Sequence, residues 1–148
     1  VNERSGRGPA HPAPARGQVH GLRLLVGLCG APLAWVAQMS LSEPLSAQAC
    51  YAASRPLAAP VWASAHALLW AISAVCLLAA CASALVAWRA WRGTRYEATS
   101  NWHDAVHSGT GRTRFLALLG VMTSAMFVAA ILFSTLGATL IAACGSTR

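Results

Sequence analysis

Three long apolar stretches constrain this chain more than any other feature. They cover about residues 22–41, 61–88 and 115–143, and Arg23 is the only formally charged residue within them. At 1.5 Å of helical rise per residue, the first spans about 30 Å, the thickness of a bilayer's hydrocarbon core. The other two would each span about 42 Å, which matches the core plus its headgroup layers. Tilt alone would have to reach about 45° to hide that length, beyond the usual range for membrane helices. Their ends are therefore expected to run into the headgroup layer. Composition closes the soluble alternative. The chain is 56% hydrophobic and only 10% charged, against about 25% charged in ordinary soluble domains. So few charges cannot cover a surface that faces water. The expected fold class is all-α and integral to the membrane, with three transmembrane helices.

The segments between the apolar stretches read differently from one another. Residues 1–20 contain Pro9, Pro12 and Pro14 among Gly, Ala and Arg, with no apolar periodicity, and are expected to form a disordered tail. Gly27, Gly30 and Pro32 interrupt the first span, which membrane helices tolerate because neighbouring groups re-satisfy the freed backbone. Glu43-Pro44 is expected to end that helix, because the residue before proline avoids the α region. Residues 42–60 then form a loop, with Pro60 suited to the first turn of the second helix. Residues 89–114 form a second, basic loop. Ala47-Gln48-Ala49 has the small-residue pattern of a signal-peptide cleavage site, but the preceding apolar stretch exceeds a signal core of about 7–15 residues. An uncleaved anchor is expected. A start at Val1 with Arg as the sole basic residue type fits an alternative start codon in a GC-rich bacterium.

Charge orients the spans. The formal net charge is +7, which in a soluble protein would raise nucleic acid as a partner. Here the arginines flank apolar spans, so the lipid bilayer with its anionic surface is the simpler counterpart, and no nucleic-acid partner is expected. Three spans put Arg4, Arg7, Arg16, Arg23, Arg89, Arg92, Arg95, Arg112 and Arg114 on one side. Only Arg55 and Arg148 fall on the other. Cytoplasmic loops carry the excess of basic residues, so the N-terminus is expected inside and the C-terminus outside, in a bacterial inner membrane. That topology brings Cys50 and Cys144 to one periplasmic face, where disulfides persist. Either they bridge, which is the favoured expectation, or they remain two thiols. Cys29, Cys76 and Cys81 fall within the spans, where a free cysteine behaves as a small apolar residue. Cys76 and Cys81, five residues apart, do not share a helix face well.

Few polar groups sit where chemistry would need them. Intramembrane ionisable residues are the first functional suspects, and only His66 qualifies. Gln38 lies at similar depth in the first span. The two are expected to hydrogen-bond between helices, with contact to a quinone headgroup as the sharper alternative. A bis-histidine haem is disfavoured, since there is one intramembrane histidine. His103, Asp104 and His107 form a possible metal set in the basic loop, because positions 103 and 107 are one helical turn apart. The competing reading is a short interfacial helix with Trp102 and Val106 on one face. Gly109-Thr110-Gly111-Arg112 lacks the lysine of a phosphate loop and reads as a hinge. Met122 and Met126 read as packing residues rather than a copper-transfer pair. Glu3, Glu43, Glu97 and Asp104 are all expected outside the membrane core, which argues against ion-coupled transport. No Ser-His-Asp set shares a location. The cofactor expectation is therefore none, with quinone, haem or copper as minor alternatives.

Small residues recur at four-residue spacing, which lets helices approach closely. Ala130, Ser134, Ala138 and Ala142 form such a stripe in the third span, and Ala79, Ser83 and Ala87 in the second. Two stretches carry a family resemblance: Gly30-Ala31-Pro32-Leu33-Ala34-Trp35, and Gly111-Arg112-Thr113-Arg114-Phe115-Leu116-Ala117-Leu118 leading into the apolar run that ends at Cys144. Together they resemble small three-helix membrane proteins of proteobacteria that accompany haem–copper cytochrome c oxidase components. The resemblance implies a non-catalytic accessory or assembly subunit of a respiratory complex, partnered by larger membrane subunits, and it transfers no catalytic residue. A small cofactor-handling protein and a stand-alone envelope protein are the alternatives.

Overall fold

A computed structural model describes residues 21–51, 55, 57–94, 112–140 and 144. Three helices account for almost all of them: α1 over Gly21–Cys50, α2 over Ala65–Gly93 and α3 over Arg112–Leu140. Each pair is in contact, with α1 and α3 running alike and α2 against them. All three are long and apolar enough to cross a membrane. The chain is an all-α, three-helix, multi-pass membrane protein. The tail of residues 1–20 and most of the basic loop, including His103, Asp104 and His107, lie outside the described residues.

The helix bounds depart from the sequence reading in ways that backbone chemistry explains. α1 does not stop before Pro44; it runs through Pro32 and Pro44 to Cys50. A proline removes one N–H from the helix ladder, a loss that membrane helices tolerate. The Ser46 hydroxyl donates to the Glu43 carbonyl at 2.9 Å, adding a local bond just past the proline. Tyr51 N–H adds a last helical rung to Ala47 O at 2.8 Å, and amides of the following loop take two later carbonyls: Val61 N–H donates to Ala49 O and Leu57 N–H to Cys50 O, at 3.0 and 2.9 Å. Helix ends need such partners for their orphan carbonyls.

α2 starts at Ala65 rather than near residue 61, so Pro60 lies five residues ahead of the helix, before the turn that leads into it. The Ala65 N–H donates to the Trp62 carbonyl, which closes that turn. At its other end α2 continues past Trp88 to Gly93. There Thr94 caps it: both its N–H and its hydroxyl donate to the Ala90 and Trp91 carbonyls. Arg92 lies over the Trp88 ring at 5.2 Å, and Trp88 meets Trp91 with centroids 5.0 Å apart. Aromatic rings and a long basic side chain suit a membrane–water boundary. α3 begins three residues earlier than expected, and residues 141–143 lie outside the described set.

The buried interior is built almost wholly from small side chains. Ala31, Ala34, Ala80 and Ile131 form its centre, with Trp35, Leu77, Phe127 and Val128 packed around them. Trp35 and Phe127 meet in a tilted pair with centroids 5.6 Å apart. Lipid supplies no hydrophobic driving force between helices, so van der Waals fit and hydrogen bonds hold the bundle. Large apolar residues point outward instead, among them Leu33, Leu78, Met126 and Phe133. A second cluster of Ala49, Cys50, Ala65 and Cys144 closes one end. Cys50 and Cys144 are joined by a disulfide, with Cα atoms 5.3 Å apart.

Candidate functional site

Small and polar residues meet in layers along the bundle axis. The layer nearest the start of α1 is the tightest. A Cβ built on Gly27 would lie 3.0 Å from the Ala87 Cβ, and one on Gly30 only 2.7 Å from the Ser83 Oγ. On α3, a Cβ at Gly120 would lie 3.1 Å from the Gly27 carbonyl oxygen. Glycine lets a neighbouring backbone approach at positions 27 and 120, and at position 30 it makes room for the Ser83 side chain. Two hydroxyls exploit that closeness. Ser83 donates to the Val26 carbonyl at 2.7 Å, and Ser124 to the Gly27 carbonyl at 3.1 Å. A carbonyl has two lone pairs, so it can accept such a bond in addition to its helical one.

The second layer is centred on Gln38, which is 2% exposed. Its Nε2 donates to Ser73 Oγ at 3.1 Å and to Thr135 Oγ1 at 3.3 Å, joining all three helices. The amide orientation follows from its partners. The Thr135 hydroxyl already donates to the Ile131 carbonyl at 2.8 Å, so toward Gln38 it can only accept. Nε2 therefore faces Thr135, and Oε1 is turned away. That oxygen is buried without a partner, as is the Ser42 hydroxyl one turn further along α1. Gln38, Ser42, Glu43, Ser46, Ser73 and Ser134 line a cleft of about 190 Å³ in the half of the bundle that carries the disulfide.

Gln38 and His66 do not meet as a hydrogen-bonded pair: Gln38 bonds Ser73 and Thr135, while His66 is exposed on the first turn of α2. His66 borders a smaller hollow with Trp70 and Thr139, which adjoins the Gln38 cleft across Leu69, Ser73 and Ala138. The small-residue stripe on α3 also sits elsewhere than its spacing suggested. Ala130 and Ser134 are half-buried, Ala138 is exposed, and Ala142 lies outside the described residues. The face of α3 that enters the bundle runs through Thr113, Ala117, Gly120, Ser124 and Ile131. Closest approach at Gly120 selects that face, and an alanine-rich helix offers several stripes of similar spacing. On α2, Ser83 and Ala87 are buried as the spacing suggested, whereas Ala79 is exposed; Cys76, Ala80 and Ala90 complete the face. Cys29, Cys76 and Cys81 are free thiols, with Cys76 buried and Cys81 exposed. Met122 and Met126 both point outward. Among the described residues, no three His, Cys, Asp or Glu side chains gather as a metal set.

The sequence signals were uneven. Nothing in the sequence singled out Ser73 or Thr135 among many hydroxyls. The glycines at positions 27, 30 and 120, set among abundant alanine, were the available clue to the tight layer. No family model matches the chain, and no similar protein emerges among curated proteins or solved structures.

Proposed function

We propose that this protein is a non-catalytic accessory or assembly subunit that packs in the bilayer against larger subunits of a respiratory complex, with a haem–copper cytochrome c oxidase the favoured one. The observation that carries this reading is the outer face of α3. Phe115, Leu119, Met122, Met126, Phe133 and Leu140 are all exposed along it. Methionine and aromatic side chains adapt to irregular partner surfaces, so the face suits a neighbouring helix as well as lipid. The family resemblance of the Gly30–Trp35 and Gly111–Leu118 stretches supplies the respiratory assignment. The arginine asymmetry supports an orientation with the N-terminus inside and the C-terminus outside, in a bacterial inner membrane.

Purification of the tagged chain from native membranes in mild detergent tests the proposal. Mass spectrometry of the eluate should recover oxidase subunits, and reduced-minus-oxidised spectra should show a-type haem bands that vanish when the tagged chain is omitted. Recovery of the protein alone, without absorbing cofactor, refutes a stable subunit role.

A further inference from the structure

The cleft beside Gln38 has an excess of hydrogen-bond acceptors. Both Nε2 hydrogens of Gln38 are committed, to Ser73 and Thr135. The Ser46 hydroxyl is committed to the Glu43 carbonyl, and the Ser134 hydroxyl to the Ala130 carbonyl. Lone pairs on Ser46 and Ser134 remain able to accept. Gln38 Oε1 is an acceptor with no partner in a residue that is 2% exposed. The Ser42 hydroxyl is also buried and unpartnered, and it and Ser73 each keep one hydrogen to donate, but these two donors are fewer than the open lone pairs of Gln38, Ser42, Ser46, Ser134 and Glu43. Glu43 adds a carboxylate, and no Arg, Lys or His lines the cleft among the described residues. A buried acceptor left unmatched is costly, so the lining calls for a donor, and Glu43 calls for one with positive charge.

We infer that this cleft binds a primary ammonium group, supplied by an ethanolamine-bearing phospholipid. An ammonium offers three N–H donors, and Gln38 Oε1, Ser42 Oγ and the Glu43 carboxylate offer acceptors to match them. The cleft's position favours a lipid source. Glu43 and Gln38 lie about 10 and 18 Å along α1 from its Cys50 end, so the cleft reaches from near the headgroup layer into the span. This assignment stands apart from the respiratory reading and does not depend on which side of the membrane holds the disulfide.

The test uses the full oxidised chain and two lipids with identical acyl chains. Phosphatidylethanolamine carries N–H donors; phosphatidylcholine carries the same headgroup charge but none. Native mass spectrometry from an equimolar mixture should show about tenfold preferential retention of phosphatidylethanolamine, the scale of one hydrogen bond to a charged group. Ser42→Ala and Glu43→Gln should each abolish that preference. Both variants leave the Gln38 bonds to α2 and α3 in place, and circular dichroism with non-reducing electrophoresis checks that the fold persists. Equal retention of the two lipids, or a preference that both folded variants keep, overturns the proposal in favour of a cleft filled by water alone. Displacement of the lipid by an equal concentration of free ethanolamine overturns the lipid source.

Discussion

Replacing Gly30 with alanine tests the tight layer through the sign of its effect. In an ordinary helix the change is favourable, by about 0.8–1 kcal/mol, because alanine has the higher helix propensity. Here the new Cβ would sit 2.7 Å from Ser83 Oγ and 2.9 Å from Ser83 Cβ. Ordinary contact starts near 3.4 Å, so the shortfalls are about 0.7 and 0.5 Å. Ser83 cannot rotate away freely, because its hydroxyl holds the Val26 carbonyl at 2.7 Å. Overpacking of this kind costs about 1–3 kcal/mol, and losing a hydrogen bond between membrane helices adds about 0.6, at most about 1.7. A net destabilisation of about 1–2 kcal/mol is expected once propensity is subtracted. Two comparisons isolate the cause. Ser83→Gly removes both clashing atoms, so Gly30→Ala in that background should be neutral or stabilising. Gly137→Ala meets nothing within 4 Å and should be neutral or stabilising in the native background. Unfolding in mixed dodecyl maltoside and dodecyl sulfate micelles reads the difference, by far-ultraviolet circular dichroism and by the summed tryptophan fluorescence, to which Trp35, packed on Phe127, contributes. If Gly30→Ala stabilises the protein as Gly137→Ala does, the close approach of α1 and α2 is wrong.

Other consequences can be measured directly. Gln38→Leu removes two interhelical bonds together with one unpartnered oxygen, and should cost about 1 kcal/mol in the same titration; no change would show that the amide does not tie the helices. Cys50→Ser and Cys144→Ser should give the same slowed migration in non-reducing gels as reduction of the native chain. Their stability loss should fall below the roughly 4–5 kcal/mol expected for so long a loop in water, because a membrane already confines the reduced chain. Reporter fusions check orientation: phosphatase fused after Arg148 should be active in the periplasm, whereas fusion after Thr94 should be inactive. The reverse pattern refutes the arginine-based assignment.

The spans were legible because bilayer thickness turns apolar length into a count of residues. The cysteine bridge was legible for a topological reason: three crossings bring Cys50 and Cys144 to one face. Helix ends were less so. Pro44 marks a boundary in water-soluble chains, but here α1 continues to Cys50, with Ser46 bonding just past the proline and the loop amides of Leu57 and Val61 taking its last carbonyls. The choice among small-residue stripes was hidden because alanine occurs on every face of α3. The contact of Gly120 with the backbone of α1, the Ser124 bond to Gly27 and the burial of Ile131 show which stripe turns inward. The Gln38 junction was half visible: an amide within a span demands partners, but Ser73 and Thr135 are 35 and 97 positions away in the chain.

The disulfide has a temporal meaning as well as a spatial one. Its two cysteines are separated by 94 positions, and α2 and α3 both lie between them. The bond cannot close until α2 and α3 have both been threaded. Oxidation therefore marks chains in which α2 and α3 are in place, and the ratio of oxidised to reduced chain in a pulse-labelled cell would serve as a clock for insertion of α3.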